Sequence, residues 1–331
     1  SNDGGARWVS GLFGALGAVR WFNNSLATPV TSFSVYKEIH VGAFVYEDGS
    51  LGAADRKDGL ERGAALAEED GIFGPTVLVK VHYIDSKDGA AAVVVAMEKL
   101  LTAFPDMVGI VGGYYSSVTI PVAYNISLPR RLPMIAYGAG SSVLSDSKAL
   151  PYFVRTCAST INEATELTNL FGAFRWTRIG IVTSTNAYSF DAGNQLRDRF
   201  EDEGGGGGDS DGDGSGDTAT QGGGKVVYKG HFAELASGAD AAEIDAAASS
   251  READGLATHA RRLKELGVRV IYFNVINAWT MRALFKAFAA AGLSSTGHAF
   301  VTSAASPTYR DDGERLGLPD AAEGVIDMNI Y

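Results

Sequence analysis

From Ile39 onward the chain alternates short apolar runs rich in β-branched residues with longer stretches whose apolar positions recur at helical spacing. The runs predict strands at Ile39–Tyr46, Val77–Ile84, Met107–Val111, Met134–Tyr137, Tyr152–Thr156, Arg178–Thr183, Lys225–Tyr228, Val268–Asn274, Ala299–Thr302 and Gly324–Ile330. Helices are expected near 55–69, 89–103, 117–127, 161–173, 189–202, 255–266 and 278–291. Strand and helix in strict alternation argue βαβ units, hence an α/β fold with mostly parallel sheets flanked by helices. Thr160 followed three residues later by Glu163 predicts a capping box at the start of the 161–173 helix, each side chain satisfying a backbone N–H of the other.

Three stretches break the rhythm. Residues 1–38 form a lead-in in which Val9, Leu12, Phe13, Leu16 and Val19 fall at helical spacing, while Gly11, Gly14 and Gly17 each weaken a helix by about 1 kcal/mol. A weak helix is expected there. Glu201–Gly224 holds eleven glycines and no apolar residue larger than Ala, so burial cannot repay its ordering entropy and a low-complexity loop is expected. Ala233–Gly255 mixes alanine with acids and is expected to be partly helical.

The 331 residues suffice for two domains of ordinary size. The formal net charge of −11 is concentrated: 201–224 carries seven acids and no base, and 234–254 six acids against one Arg. The remainder is near neutral, which disfavours a nucleic-acid partner. A single cysteine, Cys157, excludes an internal disulfide and a cysteine-based zinc cluster. The most apolar run, Trp8 to Phe22, includes Arg20 and falls short of the roughly 18–20 residues a spanning helix needs. The sequence opens on Ser1 with no basic n-region or cleavage site, so a signal peptide is expected to have been removed or to lie outside it.

Enzyme motifs are missing: there is no H-E-x-x-H, C-x-x-C, G-x-S-x-G or P-loop pattern, and the five histidines are widely separated. Neither catalysis nor a cofactor is expected. Gly138-Ala139-Gly140-Ser141-Ser142-Val143 imitates a dinucleotide fingerprint, but Val143 stands where a third small residue is needed. Asp209, Asp211 and Asp213 fall on the first positions of a calcium loop whose closing Glu is replaced by Thr220, so a solvated linker is the favoured reading and no metal is assigned. Asn125-Ile126-Ser127 and Asn23-Asn24-Ser25 match the N-glycosylation acceptor pattern. Gly112-Gly113-Tyr114-Tyr115-Ser116-Ser117 carries most information: a glycine turn delivers two hydroxyls to a helix start, which suits a carboxylate or equally a helix cap.

An ordered series of segments then resembles a known family. The series is IHVGAFVYEDG (39–49), RGAALAEEDG (62–71), VHYIDSKDGAAAV (81–93), VGIVGGYYSSVTIPVA (108–123), LPMIAYGAGSSVLSD (132–146), PYFVRTCAST (151–160) and FRWTRIGIVTSTNAYS (174–189). Together they resemble the type I periplasmic-binding-protein fold used as the ligand-binding region of natriuretic-peptide-type and class C G-protein-coupled receptors. Within that family IAYGAGSSVLSD followed by PYFVRT is similar to the metabotropic GABA (type B) receptors.

The resemblance implies a two-lobed Venus flytrap on the outer face of a membrane receptor, with lobe 1 at 39–155, lobe 2 at 156–331 and signalling by lobe closure. Family members return to lobe 1 after about Tyr331, so that segment is expected to be missing here. The implied partners are a small amino-acid-like or related carboxylate ligand, a membrane reached only through segments outside this sequence, and a second receptor copy. A soluble solute-binding protein of a transporter, secreted or periplasmic, is the alternative. Position by position, the resemblance places the carboxylate-gripping serine on Ser116, beside Ser117, and the second hydroxyl position on Gly138 or Gly140 with Ser141 and Ser142 adjacent. The GABA-binding histidine falls on Cys157, the amine-holding carboxylate on Thr160, and the lobe 2 aromatic wall on Tyr188. Tyr137 points either into the cleft or into lobe packing. Carboxylate capture is thus retained in part and the ammonium contacts are not.

Overall fold

A computed structural model describes residues 7–8, 18–19, 37–46, 51–74, 77–87, 89–202, 224–236, 238–293, 296–303 and 325–328. The low-complexity loop expected at 201–224, with Asp209, Asp211 and Asp213, lies almost wholly outside them, as does most of the 1–38 lead-in. Of the lead-in, β1 (Arg7–Trp8) and β2 (Ala18–Val19) are described and pair antiparallel, while the expected helix, carried by Val9, Leu12, Phe13 and Leu16, falls on residues outside the described ones.

Every strand expected from Ile39 onward is present, within a few residues. β3 (Lys37–Val45), β4 (Val77–Asp85), β5 (Gly109–Val111), β6 (Met134–Ala136) and β7 (Phe153–Arg155) form one parallel sheet in the order β4-β3-β5-β6-β7. β8 (Arg178–Ser184), β9 (Lys225–Phe232), β10 (Val270–Asn274), β11 (Ala299–Ser303) and β12 (Ile326–Met328) form a second, in the order β12-β11-β10-β8-β9. Both sheets share one topology: the first strand lies inside, and the chain reverses direction across β3/β5 in one and β8/β10 in the other. In open sheets of this kind ligands bind outside the carboxyl ends of the strands at that reversal. We call the first sheet with its helices the first lobe and the second the second lobe.

The first lobe carries α1 (Leu51–Glu69), α2 (Ala90–Ala103), α3 (Ser116–Val122) and the short α4 (Leu128–Arg130). Its core packs Phe44, Ile110 and Met134 of the sheet against Val93 and Met97 of α2 and Val118 and Val122 of α3. Pro121 lacks an N–H, and the helix relaxes into a wider π turn over Ala123–Ser127. The second lobe carries α5 (Thr160–Ala173), α6 (Ala187–Asp202), α7 (Ala241–Ser249), α8 (Leu256–Glu265) and α9 (Ala278–Ala290). Its sheet is covered on both faces, one by Phe171, Leu196 and Phe200, the other by Leu263, Phe285 and Phe288. β10 is buried along its whole length accordingly.

The capping expectation is corrected in register. Ser159, not Thr160, is the N-cap of α5, its side chain accepting from the Asn162 N–H. Glu163 is 3% exposed and turns inward rather than back to the helix start. A true capping box forms at Asp240 and Glu243, where the mixed 233–255 stretch becomes α7.

Candidate functional site

The site is built where loops leave the carboxyl ends of both sheets. α3 begins with Ser116 directly after the glycine turn that follows β5, and Tyr115, its N-cap, makes no side-chain cap bond. The Ser116 hydroxyl does not cap the helix. Buried at 2% exposure, it accepts a hydrogen bond from the Ser141 N–H at 3.2 Å, joining the loops after β5 and β6.

The loop after β6 meets the second lobe at one carboxylate, that of Asp191 on α6. Its Oδ2 accepts from the Ser142 N–H at 2.6 Å, the Thr160 hydroxyl at 2.6 Å and the Ser141 hydroxyl at 3.2 Å. Its Oδ1 accepts from the Ser142 hydroxyl at 2.7 Å, and Gln195, one turn further along α6, donates to that same hydroxyl at 3.1 Å. Four donors from the first-lobe loop and the α5 start fill the acceptor sites a carboxylate offers. The Thr160 N–H closes the set by donating to Gly140 O at 2.8 Å. Arg155 holds the loop from beneath, donating to Ser141 O at 2.9 Å and to the Ser145 hydroxyl. Desolvation lowers the Arg155 pKa, against the pull of Cys157 and Asp191.

Beside this cluster, the absence of side chains at Gly138 and Gly140 admits two aromatic rings. A Cβ at Gly140 would stand 2.7 Å from Tyr188 Cε2, and one at Gly138 2.8 Å from Tyr114 Cδ2. Tyr188 is anchored in turn by the buried polar floor of the second lobe. Its hydroxyl donates to Glu163 Oε2 at 2.6 Å, the Tyr272 hydroxyl donates to Glu163 Oε1 at 2.8 Å, and Asn274 donates to Tyr272 at 3.0 Å. Full burial beside Glu163 pushes the Tyr272 pKa well up. Asn186 links Ser189 to Glu234, whose carboxylate also receives the Ile276 N–H and the Asn277 amide. Burial raises the Glu234 pKa despite these bonds.

On the first-lobe side a cavity of about 310 Å³ opens at the ends of β5, β6 and β7, lined by Arg56, Val111, Ile135, Tyr137 and Thr156 among others. The Arg56 guanidinium lies 4.7 Å from the Tyr114 ring centroid and donates to Tyr46 O at 3.2 Å. Its Nε and the Tyr137 hydroxyl are both buried without a hydrogen-bond partner. Burial pushes the Tyr137 hydroxyl up to about 12, with Arg56 pulling the other way. An unpaired cationic donor and an unpaired hydroxyl in an otherwise apolar cavity are the usual fittings of a small-ligand pocket.

Of the residues singled out in the sequence, Ser116, Ser141, Thr160 and Tyr188 come together, with Gly138 and Gly140 making room for the rings. Tyr137 lines the neighbouring cavity. Ser117 is exposed on the first turn of α3. Cys157 is a half-buried free thiol whose pKa burial raises. Sequence reasoning missed Asp191, Gln195, Arg155, Glu163 and Arg56. A signal for the first two existed: Tyr188, Asp191 and Gln195 form a polar stripe on α6 flanking the apolar stripe of Ala192, Leu196 and Phe200. Among the described residues no group of three His, Cys, Asp or Glu could hold a metal, and no helix is long and apolar enough to cross a membrane.

Two parallel α/β lobes meet over a cleft of loop hydroxyls, a fold this chain shares with a solved solute-binding protein. A solute-binding protein of an ABC transporter from R. palustris, in complex with 4-hydroxybenzoate, superposes with a TM-score of 0.60 at 18% identity, over 83% of this chain and 64% of that one. Residues 67–331 match the receptor family ligand binding region, and the chain belongs to that family. Stretches are similar to the taste receptor type 1 member 2 of Cebuella pygmaea (33% identical over 95 residues, 29% of this chain) and to the human G-protein coupled receptor family C group 6 member A (29% over 84 residues, 25% of this chain). The matched stretches span 11% and 9% of those relatives' length.

Proposed function

We propose that the chain is the ligand-sensing domain of a membrane receptor, displayed on the outer face of the membrane. It takes a small amino-acid-like or other carboxylate-bearing ligand between the lobes and signals by closing on it. One observation carries this reading: hydroxyl and N–H donors from both lobes converge on a single carboxylate, so the cleft has the donors an anionic head needs. The unpaired Arg56 and Tyr137 groups supply a second polar end, and Tyr114 and Tyr188 supply aromatic walls. A transporter's solute-binding protein is the second reading, favoured by the fold of the R. palustris protein.

Calorimetric titration of the purified chain with amino acids and small aliphatic and aromatic carboxylates tests the binding site. Ser116→Ala is expected to weaken the ligand that binds by about 1.5–3 kcal/mol, the range for hydrogen bonds to charged groups. Unchanged affinity would remove Ser116 from the site, and no binding across the panel would remove the ligand class. Reading the transcript beyond codon 331 separates the two classes of protein: an apolar run of about 20 residues supports the receptor.

A further inference from the structure

Asp191 is itself a carboxylate, and it sits where the cleft donors point. Its hydrogen-bond donors, Ser141, Ser142 and Thr160, lie outside its own helix, and two of the three belong to the opposite lobe. A charged side chain with four donors from neighbouring elements is a bound anion in all but its covalent tether. We propose that Asp191 is a built-in surrogate for the ligand's carboxylate: it fills the anion subsite of the unliganded chain, fastens the two lobes, and must be displaced before a ligand carboxylate can bind. The inference rests on the cleft being the ligand site.

Three features of the site favour a removable occupant over a permanent strut. Asp191 and Gln195 reach the loop from one half-buried stripe of α6, whereas the loop is also held by Ser116 and Arg155 from the first lobe. Asp191 and Ser142 are only partly buried, so water and solutes reach the contact. The donor set comprises three hydroxyls and one backbone N–H, groups that accept a free carboxylate as readily as a tethered one. A second carboxylate entering beside Asp191 would meet like charge, so occupation is exclusive.

The test uses the whole 331-residue chain and sodium acetate as the probe, with sodium chloride at matched ionic strength as the control. In Asp191→Ala the vacated subsite is expected to bind acetate saturably, raising the melting temperature, while the wild type shows no acetate effect beyond the salt control. Amide hydrogen exchange at Ser142, whose N–H keeps the Thr160 hydroxyl oxygen as a second acceptor at 3.0 Å, is expected to quicken several-fold in Asp191→Ala and to slow again when acetate is added. Identical acetate responses in the two proteins, or unchanged exchange at Ser142, would overturn the proposal. If Asp191→Ala does not fold, Asp191→Asn decides: its isosteric amide is expected to quicken Ser142 exchange without creating acetate binding, and wild-type exchange rates would refute the surrogate. Because acetate is read on the variant, this outcome is independent of the natural ligand. Failure of the wild type to bind any carboxylate in the calorimetric panel, with Asp191→Ala taking acetate, would sink the proposed ligand class and leave the surrogate standing.

Discussion

Tyr188 donates its hydroxyl to Glu163 at 2.6 Å, so the aromatic ring beside Gly140 is fixed from behind by a buried carboxylate. The same carboxylate receives Tyr272 at 2.8 Å, and through it the wall of the cleft is tied to the centre of the second-lobe sheet. Tyr188→Phe keeps the ring and strips one donor from a buried charge. The expected cost is about 1.5–3 kcal/mol in urea unfolding with an unchanged m-value, since nothing else in the packing alters. A midpoint equal to wild type would show that water replaces the phenol and that the ring is not held by Glu163.

Tyr137 offers the opposite case, a buried hydroxyl with no partner. Tyr137→Phe is expected to leave ligand-free stability unchanged or to raise it by up to about 1 kcal/mol, because an unsatisfied polar group is removed. The pH dependence carries a sharper sign. The folded hydroxyl is pushed up to about 12 from 10.0, so it stays protonated in the folded chain while the unfolded chain ionises. Its contribution is complete below about pH 10 and is lost as pH rises toward about 12, at no more than about 1.4 kcal/mol per pH unit. Urea midpoints across this range should fall more steeply in wild type than in Tyr137→Phe; parallel slopes would refute the burial of the hydroxyl.

The alternation of strands and helices was legible because parallel sheets covered on both faces need continuous apolar strands, and β10 and β8 provide them plainly. What sequence could not reveal was which hydroxyl meets which partner. Ser116 stands at a helix start, where capping and ligand binding call for the same residue type, and only the loop after β6 decides between them. Thr160 looked like a cap because Glu163 follows it, yet Ser159 takes that role and leaves Thr160 free for Asp191. Asp191 was hidden for a related reason: a lone acid on a helix is ordinarily a solvated side chain, and its role comes from a lobe some fifty residues away in sequence.

Gly140 is one of the two positions, with Gly138, where the family resemblance expects a hydroxyl, and neither has room for a side chain. A Cβ at Gly140 would press on Tyr188 at 2.7 Å and on Ala158 O at 3.0 Å. Gly140→Ala is expected to destabilise by about 1–3 kcal/mol, the cost of forcing a packed ring aside. If the ring is the obstacle, Gly140→Ala in a Tyr188→Ala background should cost markedly less, giving a coupling of at least about 0.5 kcal/mol in a double-mutant cycle. Additive losses would place the strain in the backbone at Ala158 instead.

His259 makes the second lobe sensitive to acid. Its Nε2 lies 2.9 Å from His231 O, a carbonyl that can only accept, so the proton sits on Nε2 and Nδ1 accepts from the Tyr228 hydroxyl at 2.6 Å. Burial lowers the His259 pKa, outweighing the opposing pull of its bond to His231 O and of Asp254. His231, itself lowered by burial and by Lys229, lies in the same region and reinforces the effect. A histidine held neutral in the folded chain and free to charge in the unfolded one contributes stability that is complete above the unfolded pKa and is lost as pH falls. Thermal midpoints should therefore drop between about pH 7 and about pH 5. The drop should be smaller in His259→Gln, which retains a donor for His231 O and an acceptor for Tyr228 but cannot take up a proton. Equal drops in both proteins would assign the acid sensitivity to His231 or to another group, and would mean that the His259 ring ionises in place without leaving its two partners.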